Sequence, residues 1–265
     1  MSDAENPSSL DADLSRRLYG ALTAERDGIL SALNDPSMEV IRSLLKNPRL
    51  DEPLLLQLLK RKDLTEEILT AVARMAVSGE SHKVKVALVH HPATPARIVQ
   101  ALLPHLYLFE LVTVCFLPGV TPDQKVAAER AIIQRLPVTP LGNKITLARR
   151  ATSDVVAALL QEGTPHLMDA CLDNPRIRES ALFRFLNGPY ATAETISAIA
   201  RHSRWKNRPN LKMAILKNSR TPNIWFTVFL PTISLVEIKN LRASGRLAGG
   251  QKMCVEEELK RRGAR

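Results

Sequence analysis

Aromatic residues make up only 4% of this chain of 265 residues, and glycine occupies just 11 positions, while leucine and alanine recur throughout. Sheet-forming chemistry is scarce, so the composition points to helix. Cysteine is rarer still: Cys115, Cys171 and Cys254 are far apart, without the close pair that would clamp a metal. Each reads as a small buried apolar residue. The longest apolar run, Leu106 to Val120, is broken by Glu110, Thr113, Pro118 and Gly119 and falls short of the ~20 residues a bilayer requires. The start, MSDAENPSSLDADLSRRL, has no apolar run behind a charged head and directs no secretion. A cytoplasmic chain that avoids membranes is expected.

Catalytic signatures are missing too. There is no glycine-rich phosphate loop followed by Lys-Ser/Thr, no His-Glu-x-x-His and no Gly-x-Ser-x-Gly. The histidines, His82, His90, His91, His105, His166 and His202, are scattered, mostly at helix ends. Adjacent His90 and His91 would point about 100° apart on a helix, which suits capping better than ligating a metal. No catalytic residue, metal or other cofactor is expected.

What is present is repetition. VKVALVHHPATPARIVQALLPHLYLFE (84–110) recurs as LKMAILKNSRTPNIWFTVFLPTISLVE (211–237), without gaps and at an offset of 127 residues. The same offset carries Asn47-Pro48-Arg49 onto Asn174-Pro175-Arg176, Thr65 and Glu67 onto Thr192 and Glu194, and Gln124-Lys125 onto Gln251-Lys252. The chain reads as one design used twice.

Helix starts are marked by Thr-Pro at 94, 121, 139, 164 and 221. There Thr is expected to accept from a first-turn N–H, and Pro to occupy a position that needs no donor. Stops are marked by Asn47-Pro48, His91-Pro92 and Asn174-Pro175, with Asn218-Ser219 as the fourth. Eleven residues after each stop comes an apolar doublet: Leu58-Leu59, Leu102-Leu103, Phe185-Leu186 and Phe229-Leu230. The expected helices are 27–34, 38–47, 51–61, 65–77, 82–91, 94–106, 107–116 and 121–136. The second set is 141–151, 153–162, 165–173, 177–187, 192–203, 208–218, 221–230, 234–244 and 250–262. Helices this short gain stability only by stacking on neighbours, as in an α-solenoid.

In its stops NPRLDEPLLLQLL, HPATPARIVQALL, NPRIRESALFRFL and NSRTPNIWFTVFL, the chain resembles HEAT-like repeats, and more closely their leucine-rich-repeat-variant subtype. The resemblance covers about residues 30–262. It implies an all-α superhelix of short antiparallel helix pairs with a concave binding face, and no activity. Some members of the subtype carry an iron–sulfur cluster on an N-terminal cysteine group; this chain has no such group, so no cofactor carries over. The expected organisation is a disordered tail at 1–9, a first copy at 10–139 and a second at 140–265, stacked as one array.

The copies differ in charge. Residues 1–139 carry 16 Lys and Arg against 17 Asp and Glu, whereas 140–265 carry 21 against 10. The second half is therefore the one suited to an anionic partner. Its densest stretch holds Arg201, His202, Arg204, Trp205, Lys206, Arg208 and Lys212, and Arg149 and Arg150 add to it. Trp205 could stack on a base, pack on an arginine stem, or cap the hydrophobic seam; Trp225, aligned with Ile98, reads as core.

The first expectation is a non-enzymatic scaffold whose basic half engages an acidic surface of a protein partner. The second is nucleic-acid binding through the same face. HEAT-like bacterial alkylpurine DNA glycosylases also pair a basic groove with Trp and Asp, but none of their motifs aligns with Trp205, Trp225, Asp154, Asp169 or Asp173.

Overall fold

The computed structural model describes residues 7–263, with side chains from residue 12 onward. Among these residues there are nineteen α-helices, three short 3-10 turns and no strand. The chain divides into two compact units, Met1–Ile132 and Ile133–Arg265.

The first unit opens with α1 (Pro7–Thr23), α2 (Arg26–Ala32), α3 (Met38–Leu44), α4 (Glu52–Leu58) and α5 (Glu66–Arg74). It continues through α6 (Ala76–Glu80), α7 (His82–His90), α8 (Ala96–Leu102), α9 (Leu108–Val114) and α10 (Pro122–Arg135), within which the division falls. Residues 7–9, expected in the disordered tail, instead begin α1; residues 1–6 lie outside the described residues. The reason is local: Pro7 suits a first helical position, and Leu14 and Leu18 lie one turn apart, packing on the core with Ala21. The helix expected over 65–77 is two, because Met75 is extended (ψ 144°) and breaks α5 from α6.

The second unit holds α11 (Leu141–Arg150), α12 (Ser153–Leu160), α13 (Pro165–Leu172), α14 (Glu179–Leu186) and α15 (Ala193–Arg201). It ends with α16 (Pro209–Lys217), α17 (Asn223–Phe229), α18 (Leu235–Ala243) and α19 (Gly249–Arg261). Within each unit helices pack on the next but one: α1 on α3, α3 on α5 and α5 on α7, then α11 on α13, α13 on α15, α12 on α14 and α14 on α16. The apolar doublets fill the space between them: Leu58, Phe185 and Leu186 are fully buried, and Leu59, Leu103, Phe229 and Leu230 nearly so.

Hydrogen bonds at the stops explain why Asn stands there. Asn47 Nδ2 donates to the carbonyls of Ala21 and Ala24, both at 3.0 Å, while its Oδ1 accepts from Arg49 N–H. Asn174 repeats the set on Ala148, Ala151 and Arg176, every partner 127 residues further on. One side chain thus ties the end of its own helix to the end of an earlier one. His91 does the same with a ring, since Nδ1 accepts from Ala93 N–H, which leaves Nε2 to donate to Arg61 O.

Four of the five Thr-Pro threonines do not cap as expected, and Thr164 makes no side-chain cap bond at all. Thr94, Thr139 and Thr221 donate their hydroxyls backward, to Leu88 O, Arg135 O and Ile215 O. The reason is that carbonyls in the last turn lack the regular i+4 donor; Leu88 O and Ile215 O take only the tighter N–H of His91 and Asn218 and keep a lone pair for an arriving hydroxyl. Thr65, Thr121 and Thr192 do accept from first-turn N–H groups.

Candidate binding groove

The loop 202–208 joins α15 to α16, and its residues divide by role. Arg204 sends its guanidinium to the carbonyl of Asn174 at 2.8 Å, with longer bonds to Pro175 and Ile177, and lies 4.4 Å from the centre of the Trp205 ring. Trp205 is 3% exposed, and its indole N–H donates to Leu172 O at 3.0 Å. His202 Nδ1 accepts from Arg204 N–H, and its Nε2 donates to Asp173 at 3.1 Å. These three side chains bind the loop to the end of α13. Arg61 on Leu33 and Asp35, Arg220 on Pro189 and Ala191, and Arg262 on Leu230 and Ile233 use arginine in the same way.

The exposed cations Arg201 and Lys206 face a groove of about 360 Å³ between α15, α16 and α17, which Asn207, Lys212, Trp225, Val228, Phe229 and Thr232 also line. No carboxylate lines it. Lys212 Nζ is 3.4 Å from Thr232 Oγ1 and 5.7 Å from the centre of the Phe229 ring. Trp225 is half-buried; its indole N–H donates to Ser197 Oγ at 2.9 Å, and its ring stacks on Phe229 with centroids 5.6 Å apart.

Of the residues expected in a basic patch, the groove gathers Arg201, Lys206 and Lys212. Arg149 and Arg150 are exposed in the last turn of α11 and Arg208 at the N-terminus of α16, none of them lining the groove. His202, Arg204 and Trp205 serve the fold. Of the alternatives for Trp205, the structure shows the buried one, beside Arg204 and with no open face for a base, whereas Trp225, expected in the core, borders the groove. Spacing explains the position of Trp225. In α17 the inward positions are Phe226 and Phe229, followed by Leu230, and position 225 lies off that face. The half-burial of Ile98, its counterpart, reflects the same geometry.

No family model matches this chain, and no curated protein or solved structure matches it either.

Other chemistry is sparse. Burial pushes the thiols of Cys115 and Cys171 up to about 12, which keeps them protonated and unreactive at neutral pH. Among the described residues no three His, Cys, Asp or Glu side chains are grouped to hold a metal ion, and no helix is long and apolar enough to cross a membrane. Asp154 and Asp169 are exposed away from the groove, and Asp173 is held by His202.

Proposed function

We propose that this chain is a non-enzymatic, cytoplasmic helical-repeat scaffold of the HEAT-like kind, built from two related copies, whose second unit binds an acidic surface of a partner protein. The observation that carries this reading is the groove, where Arg201, Lys206 and Lys212 converge on an aromatic floor with no carboxylate among the lining residues. Such a site favours anions through long-range attraction and gives an apolar group a place to bury. The copied stop bonds of Asn47 and Asn174, and the packing of helices on the next but one, support the solenoid reading.

The test is a titration of the full chain with poly-L-glutamate, duplex DNA, single-stranded DNA and RNA. Polyglutamate should bind at low salt, and the triple substitution R201A/K206A/K212A should weaken it about tenfold or more. Tighter binding of a nucleic acid than of polyglutamate would replace this reading with the nucleic-acid one. In that case the salt dependence should flatten by about 0.7 to 0.9 for each phosphate contact the substitutions remove.

A further inference from the structure

Along the groove, α17 turns an apolar edge to solvent. Ile224 is 61% exposed and Val228 48%, and they stand one helical turn apart on one face. Val228 lines the groove, and Trp225 carries the apolar surface further into it. The core does not need these residues, because α17 is anchored by Phe226 and Phe229. Nor does water reward them: β-branched side chains are mediocre helix formers, and exposed aliphatic groups are a cost that burial against a partner would relieve. An aliphatic edge, entering the groove at Val228 and continuing outside it at Ile224, thus adjoins a lining that holds three cations.

A ligand that matches both must present apolar groups in a row and negative charge beside them. We infer that the groove along α17 takes a short acidic amphipathic helix of a partner protein. Its apolar residues, spaced i and i+4, would lie on Ile224, Val228 and the Trp225 edge, and its carboxylates would meet Arg201, Lys206 and Lys212. This is helix-in-groove recognition, in which the apolar contacts set affinity while the charges set encounter rate and orientation.

A nucleic-acid strand fits less well. It could use the cations but would leave Ile224 and Val228 against sugar and phosphate, and one face of Trp225 is already covered by Phe229. Of the cations on the loop only Lys206 lines the groove, since the Arg204 guanidinium is held by backbone carbonyls and the exposed Arg208 lies outside the lining.

The inference rests on the acidic-surface reading, and one experiment separates the two. Fluorescence anisotropy with the full chain at low salt would compare three labelled probes: a glutamate-rich peptide with leucines at i, i+3 and i+4, a peptide of the same composition with the leucines scrambled, and oligouridylate. The patterned peptide should bind about tenfold more tightly than the scrambled one. Ile224→Asp should abolish that advantage, and Lys206→Glu should weaken both peptides. Because Ile224 is exposed, the circular dichroism of the variant should match that of the parent, and the comparison of the two peptides on the parent chain requires no variant. Equal binding of both peptides, or an advantage that survives Ile224→Asp, overturns the amphipathic-helix inference while leaving acidic-surface binding intact. Oligouridylate binding more tightly than either peptide, or no binding of any probe, overturns both.

Discussion

Asn174 is wholly buried, and its amide satisfies two carbonyls and one N–H in two different helix ends. Alanine there would leave the two buried carbonyls unpaired, so Asn174→Ala should cost about 2 to 4 kcal/mol, read as a lowered urea midpoint. Glu110 gives a pH signature. Burial pushes its carboxyl up, but His82 Nε2, 2.9 Å from both oxygens, and Tyr107 N–H at 2.7 Å outweigh that, and the net displacement is downward. A lowered folded value contributes stability that is complete above the unfolded carboxylate value of about 4.3 and is lost as pH falls through the folded one. Urea unfolding from pH 6 to 3 should therefore show a steeper acid loss for the parent chain than for Glu110→Gln. At this scale the sequence was only half legible. The Asn stops could be placed because the proline after them bars further helix, but their bonds to carbonyls 23 and 26 residues earlier, like those of Arg204 and Trp205 to carbonyls about thirty residues earlier, are announced by no local pattern.

Helices of five to nine residues dominate the chain, short of the length at which an isolated helix persists in water. Their ends therefore matter more than their interiors. Gly163, just beyond α12, has φ +64°, and a Cβ there would sit 2.8 Å from the carbonyl oxygen of Tyr190. Gly245, beyond α18, has φ +68° but open space around it. Gly245→Ala should cost only the backbone strain, about 1 kcal/mol, and Gly163→Ala clearly more, because the clash adds to that strain; thermal melts of the two variants make the comparison. Element order was largely legible where Thr or Pro marks the start, as at α5, α10, α13, α15 and α16, whereas α2, α6, α7, α9, α14, α18 and α19 begin with neither. Thr94, Thr139 and Thr221 read as caps of the next helix but donate to the preceding one, because sequence reveals that a hydroxyl is present but not which acceptor lies nearest. The break at Met75 carried no proline or glycine to mark it.

Across the whole chain, the contrast between a near-neutral first half and a strongly basic second half could be counted directly from residues. What counting could not do was sort the cations. Arginine is the better clamp for carbonyls because its planar fork meets several at once, and lysine the better free charge on a flexible stem. The loop after α15 follows that rule, with Arg204 turned inward and Lys206 left at the groove. The chain has only two tryptophans, and they sit in opposite surroundings, one sealed against a carbonyl and the other at the groove's lip. The protein is thus fitted with an intrinsic optical reporter: once Trp205 is replaced by phenylalanine, all remaining indole emission originates at α17, and any guest settling there announces itself without a dye.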